Sequence, residues 1–307
     1  MILKKTIQLL LIPLLAVLAI SGVLKGVDVN RNDFMLGLNV KDSLVMNTPG
    51  DRLLINGGSN LIFGFKSDIS SEDLNRPTIN LGLMAGLGLE FMINQVKEYA
   101  HEGDIVVLVP EYFLYVNSES NLDNPVVLSA ISACPKMKRF VNDVSTIKLE
   151  HLLIQSNLTK MIHDWSPVEN ESIFKFENFN LKGELSKNQK SLLSKEKFDN
   201  YKFPINFDQD INQVAATIKS LNELSELFKE KGVKFYVSFP PIPNNVDVIG
   251  DAMELYELLV AKEIKTIGKP ADFSFPCSSF YDGIPHLIFS AAEKRTLIFN
   301  NLIKKEL

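Results

Sequence analysis

Residues 51–65 read Asp-Arg-Leu-Leu-Ile-Asn-Gly-Gly-Ser-Asn-Leu-Ile-Phe-Gly-Phe, and the reading of this stretch decides the fold. The apolar run Leu53-Leu54-Ile55 stops at Asn56-Gly57-Gly58, and Ser59-Asn60 follow at once. This is the pattern of a buried strand that ends in a tight turn and lifts a hydroxyl above a sheet edge before a helix begins. Glycine permits such a turn because it lacks a Cβ and lets the backbone approach other groups closely. The same residues also fit a plain strand-to-helix turn whose Ser or Asn caps the helix. The choice between the two depends on what the remaining chain places beside them.

Downstream, strands and helices alternate. Thr78-Ile79-Asn80-Leu81 reads as a second strand, followed by the glycine-rich Gly82-Leu83-Met84-Ala85-Gly86-Leu87-Gly88. Leu89, Met92, Ile93, Val96 and Ala100 recur at helical spacing, and Gly103 suits a left-handed cap. The third strand, 104–109, opens on Asp104 and continues as an unbroken apolar run of the kind buried on both faces, ended by Pro110-Glu111-Tyr112. After a long interruption come a helical stripe from 208 to 232, a fourth strand at 233–239 and a helix at about 247–262. A short fifth strand near 264–267 and a last helix over about 289–304 complete the chain. Alternation of this kind predicts a parallel sheet covered on both faces, here an α/β domain of three layers with five strands. Residues 50–307 form that domain, 26–49 a stalk, and about 113–207 an insertion that breaks the rhythm.

The insertion is expected to be partly helical, near 125–133 and 147–162, and insertions of this length often form lids or binding surfaces. His151, His163, Asp164 and Trp165 lie in it, as ligand contacts or as solvated and packing residues. Phe174-Lys175-Phe176-Glu177-Asn178-Phe179 alternates like a strand or hairpin arm, which suits a carbohydrate platform and ordinary packing alike.

The amino terminus carries Lys4-Lys5 and then an uncharged run over residues 6–24, closed by Lys25. About 20 apolar residues suffice to cross a bilayer as a helix. The two lysines favour a cytoplasmic amino end, so residues 1–25 are expected to anchor a domain on the outer side of the membrane. Ala19-Ile20-Ser21 would serve as a cleavage site if the segment were instead a signal peptide. A net charge of −5 argues against nucleic acid, whose binders usually carry a basic footprint. Cys134 and Cys277 form no zinc motif and allow at most one disulfide. No metal site is read. The glycines at 82, 86 and 88 do not have dinucleotide spacing, and no cofactor is expected.

In open α/β sheets, ligands bind outside the carboxyl ends of the strands. Ser59, the pair Gly82 and Gly86, Glu111, and the late Asp282 and His286 all follow predicted strands, so the topology gathers them at one edge. A serine nucleophile needs a base and the base an orienting group; His286, four residues after Asp282, is the best candidate for the one and Asp282 for the other. The amides of Ser59 and of Gly82 or Gly86 are candidates for an oxyanion hole. A turn aspartate, a satisfied histidine and glycines kept for close packing are the plain alternatives.

Gly57-Gly58-Ser59-Asn60 with Gly64, the Asn80-Leu81-Gly82 block with Gly86, and Asp282-x3-His286 resemble the SGNH (GDSL-like) hydrolase superfamily. Within it the likeness is to membrane-anchored members that modify envelope polysaccharides, similar to the alginate O-acetylation proteins, over roughly residues 50–112 and 233–300. The resemblance implies a flavodoxin-like α/β/α fold, with Ser59 as nucleophile, His286 as base and Asp282 as its partner. Three positions depart from the pattern. Gly-Gly-Ser stands for Gly-Asp-Ser, Asp-x3-His for Asp-x-x-His, and Glu111 stands where an asparagine would donate to the oxyanion. A carboxylate cannot donate unless protonated. Either another group substitutes as donor, Glu111 has a raised pKa or a substrate-positioning role, or the site is weak or inactive; Asn60 is a second candidate for positioning substrate. Two functions follow as expectations. One is an exported serine esterase or O-acyltransferase acting on acyl groups of a cell-envelope glycan, which as a transferase would need a separate membrane protein to deliver the acyl group. The other is an inactive glycan-binding or scaffolding subunit of a polysaccharide machine.

Overall fold

In a computed structural model of the protein, residues 33–118, 120–142, 149–153, 173–186 and 190–307 are described. The expected membrane segment at 1–25 and the candidates His163, Asp164 and Trp165 lie outside these residues. Among the described residues no helix is long and apolar enough to cross a membrane.

The domain is built on four parallel strands, β1 (Leu53–Gly57), β2 (Thr78–Asn80), β3 (Ile105–Val109) and β4 (Lys234–Val237), in the order β2-β1-β3-β4. Every residue of β1, β2 and β3 is buried, as parallel strands covered on both faces require. The helices in chain order are α1 (Gly37–Asn47), α2 (Ser59–Gly64), α3 (Ser67–Leu74), α4 (Leu89–Tyr99), α5 (Pro125–Ala133), α6 (Lys195–Asp199), α7 (Phe207–Glu230), α8 (Val246–Ala261) and α9 (Phe289–Ile303). Successive strand residues point to opposite faces, which assigns helices to sides. Asn56 reaches the Met92 carbonyl and Gln95 of α4, whereas Thr78 bonds Ser70 of α3 and Asn80 bonds the Leu61 carbonyl of α2. The register pairs Leu54 with Ile79, so Asn56 and Thr78 face opposite ways. α9 joins the second side through Ser70–Asn300 and Lys304–Asp73 bonds.

The fifth strand is not formed. Residues 264–267 meet the sheet in a single bridge between Val237 and Thr266, held by Val237 N to the Lys265 carbonyl and Ile267 N to the Val237 carbonyl, both 2.9 Å. The segment is bounded by Glu263 and Gly268, both in the left-handed region (φ 59° and 71°), so the chain turns away on either side of the bridge. The chain instead forms a separate parallel pair, β5 (Ile242–Pro243) with β6 (Ser274–Phe275).

The described part of the expected stalk belongs to the domain. Leu38, Lys41 and Val45 of α1 are buried, and the Tyr99 hydroxyl donates to Asp42 at 2.6 Å. Of the insertion's expected helices, α5 forms where predicted, and only 149–153 of the other is described. The 174–179 segment packs: Phe174 lies against Phe34 and Phe63, and Phe179 against Phe34. His151 is exposed, and both cysteines are free.

The insertion also closes a buried polar cluster. Lys41 Nζ donates to the Asn80 carbonyl at 2.7 Å, while Glu184 accepts from the Asn80 side chain and the Ser67 amide, each at 3.1 Å. Burial pulls the Lys41 ammonium down from 10.5 to about 8, with the Glu184 charge opposing. Between these values the unfolded chain binds more protons than the folded one, so stability rises as pH climbs from about 8 to about 10.5. The Lys41 share of that rise is up to roughly 3 kcal/mol. Urea unfolding of wild type and of Lys41→Met across this window checks it: the rise should be smaller in the variant, and equal rises would contradict the assignment.

Candidate active site

β1 runs into α2 through Gly57-Gly58, and Ser59 is the first residue of that helix, partly exposed at the carboxyl edge of the sheet. The turn is tight because three segments meet there. A Cβ built on Gly58 would come within 2.5 Å of Ala85 N and Cα and of Glu111 Oε1. One built on Gly57 would come within 2.4 Å of the Val109 carbonyl. The glycine-rich segment after β2 therefore crosses directly over the turn. Gly58→Ala must push it away; about 1–3 kcal/mol of stability is expected to be lost, together with a loss of Ser59 reactivity on the order of 10²-fold. Thermal melts and serine-probe labelling together check this, and a variant equal to wild type in both would contradict the crowding argument.

Asp282 and His286 come together. His286 Nδ1 lies 2.7 Å from Asp282 Oδ1, in a turn closed by Tyr281 N donating to the His286 carbonyl and His286 N to the Gly283 carbonyl. This turn absorbs the extra residue of Asp-x3-His. A carboxylate only accepts, so Nδ1 carries the proton and a neutral ring keeps its Nε2 lone pair for other work. Burial raises the Asp282 carboxyl, but the His286 hydrogen bond and charge hold it below the usual carboxylate value. The imidazole lies flat on Phe63, with ring centroids 4.2 Å apart and planes 14° apart. Phe63 is four residues after Ser59 in α2, and residues at that spacing share a helix face. The stack thus sets the His286 ring on the Ser59 side of the helix. Among the described residues no hydrogen bond joins the Ser59 hydroxyl to the ring.

The other expected residues separate in role. The Gly82 amide donates to Asn80 Oδ1 at 3.0 Å and is not available as an oxyanion donor. Gly86, partly exposed, sits in a short turn next to Ala85, whose amide is the one that reaches the Ser59 turn. Asn60 is fully buried, its side-chain NH2 donating to the Val109 carbonyl at 2.9 Å, so it faces the fold and not a substrate. Glu111 is also buried: Oε1 accepts from the Asn60 amide at 3.0 Å and Oε2 from the Gly58 amide at 3.2 Å. Burial raises its carboxyl, opposed by the Asn60 bonds and the nearby His286 charge.

Two groups were not expected. Arg295 of α9 is buried and donates to the Asn60 carbonyl at 2.8 Å, Asn60 Oδ1 at 3.1 Å, the Phe239 carbonyl at 3.1 Å and the Gly64 carbonyl at 3.3 Å. Burial lowers its guanidinium from the ordinary value, with Glu111 opposing. Its signal in the sequence is an arginine set in the stripe Ala291, Ala292, Arg295, Thr296, Phe299, where a lone charge calls for a buried partner. Phe63 was legible only as the residue one helical turn beyond Ser59.

No protein-family model matches the chain, and no curated protein matches it. The arrangement itself offers a hydroxyl on a strand-to-helix turn, an oriented imidazole on the same face, and unspent amides at Ser59 and across the turn at Ala85. Acyl transfer uses such a set where the hydroxyl and the imidazole come within hydrogen-bond reach.

Proposed function

We propose that the chain is a serine esterase or O-acyltransferase that acts on acyl groups of a cell-envelope polysaccharide through Ser59, His286 and Asp282, in a domain of SGNH type. The observation that carries this reading is the 2.7 Å bond between Asp282 and His286, with the imidazole stacked on Phe63 of the helix that begins at Ser59. His286 Nε2 takes the hydroxyl proton as Ser59 Oγ attacks the acyl carbonyl carbon. The tetrahedral oxyanion is met by the Ser59 amide and by an amide from the 85–86 turn. The acyl–oxygen bond breaks, the proton passes from His286 to the departing alcohol, and the acyl-enzyme is resolved by water or by a sugar hydroxyl. The uncharged run at 6–24 supports an anchor that holds the domain on the outer face of the cytoplasmic membrane. With one such segment, transfer would require a separate membrane protein to bring the acyl group across.

A second reading, a non-catalytic glycan-binding or scaffolding subunit, draws support from Glu111, a buried acceptor where an oxyanion donor would stand. An alkyl fluorophosphonate separates the two. The esterase reading expects stoichiometric labelling at Ser59, slowed sharply in His286→Gln; absence of labelling beside an active control esterase would favour the scaffold.

A further inference from the structure

We propose that Glu111 and Arg295 are a pair of positioning residues that fix the nucleophile turn, Glu111 holding the amides on both sides of Ser59 and Arg295 holding the oxygens of Asn60. The inference rests on the serine-nucleophile reading of the site and assigns Glu111 to the enzyme's own turn, not to substrate.

Both oxygens of Glu111 accept from backbone N–H groups, one from Gly58 and one from Asn60. That is the hydrogen-bonding of an ionised carboxylate, and it leaves the Ser59 amide, which lies between them, without an acceptor among the described residues. On its other side, Asn60 gives both of its oxygens to Arg295, and its side-chain NH2 to the Val109 carbonyl. Asn60 is therefore held at its amide by an anion, at its oxygens by a cation and at its side chain by the end of β3. Arg295 carries the same fixation to the Phe239 carbonyl beyond β4 and to the Gly64 carbonyl at the end of α2. Every anchor is buried, where charged hydrogen bonds are strong and water does not compete. There is no slack at Gly58, where a Cβ would reach within 2.5 Å of Glu111 Oε1. A carboxylate in this place forgoes donation to the oxyanion and in exchange sets the direction of the Ser59 hydroxyl and amide. Misplacing a reacting group by about 1 Å costs on the order of 10²-fold in rate.

The test compares wild type, Glu111→Gln and Arg295→Lys as full chains in detergent, with two readouts. The first is the time course of fluorophosphonate labelling, which separates the rate constant from the fraction of molecules labelled. A glutamine turns an NH2 toward one of the two amides, and a lysine cannot span four acceptors, so each variant should lose roughly 10²-fold in rate constant at full labelled fraction. Glu111→Asp, which keeps two acceptors on a shorter stem, should recover part of the rate. The second readout is hydrogen exchange of the peptide over residues 57–61, which should quicken in Glu111→Gln while the strands keep their protection. A labelled fraction that falls at an unchanged rate constant overturns the proposal, because the pair would then serve folding alone; failure of both variants to fold does the same. If wild type itself is not labelled, the esterase reading falls and exchange alone decides: unaltered protection at 57–61 in Glu111→Gln overturns the clamp, and faster local exchange sustains it.

Discussion

Ser59→Ala should abolish fluorophosphonate labelling and lower ester hydrolysis on the order of 10⁶-fold in kcat, the loss seen when the nucleophile of a serine triad is removed. The substituted side chain is partly exposed at the start of α2, and no hydrogen bond to it holds the fold among the described residues. Stability should therefore stay within about 0.5 kcal/mol of wild type, as for surface changes elsewhere. Active-site titration and a thermal melt on the same preparation read both quantities. Hydrolysis that survives the substitution at more than about a hundredth of the wild-type rate would show that another group carries the reaction.

The largest effect on stability should come from the opposite edge of the sheet. Asp104→Ala is expected to cost about 3–5 kcal/mol, the range for removing one member of a buried ion pair and stranding the other. Arg52 Nη2 lies 2.6 Å from Asp104 Oδ2, and Oδ1 accepts from the Arg52 amide and Nε. The guanidinium also donates to the Val45 carbonyl of α1 and the Tyr99 carbonyl of α4, so the pair ties the amino ends of β1 and β3 to two helices. Without the carboxylate, Arg52 keeps two carbonyls and a buried charge. Urea unfolding measures the cost, and a loss under about 1 kcal/mol would contradict the account. Because the pair stands at the amino ends of the strands, the folded fraction should still label at the wild-type rate. That outcome separates this site from the Glu111–Arg295 pair, whose substitution should slow labelling instead.

Much of the frame was legible because it depends on local composition. The runs at 53–55 and 105–109 have no polar face to offer solvent and read as strands buried on both faces. The 3.6-residue stripes of α4 and α7 marked helices that cover them. The 264–267 stretch makes only one bridge, because backbone turns at Glu263 and Gly268 bound it, and a short apolar stretch does not display such turns. How closely residues 37–47 pack on the domain was not legible for a similar reason. α1 is weakly amphipathic, and Lys41 and Asp42 are buried through partners at Asn80, Tyr99 and Arg139, which lie far along the chain.

The candidate site divides along the same line. Ser59 on a glycine turn, and Asp282 four residues before His286, are short-range patterns, and the chain itself displays them. Which amides are spent and which remain open is decided by contacts that span the molecule: Glu111 to Asn60 across 51 residues and Arg295 to Asn60 across 235. Such contacts exist only once the sheet has brought its carboxyl ends together and α9 has packed beneath the turn. Local preference alone determined the strand, the turn and the serine. The direction in which that serine points was left to tertiary packing, because the buried charges that aim it acquire their strength only when water has been excluded around them.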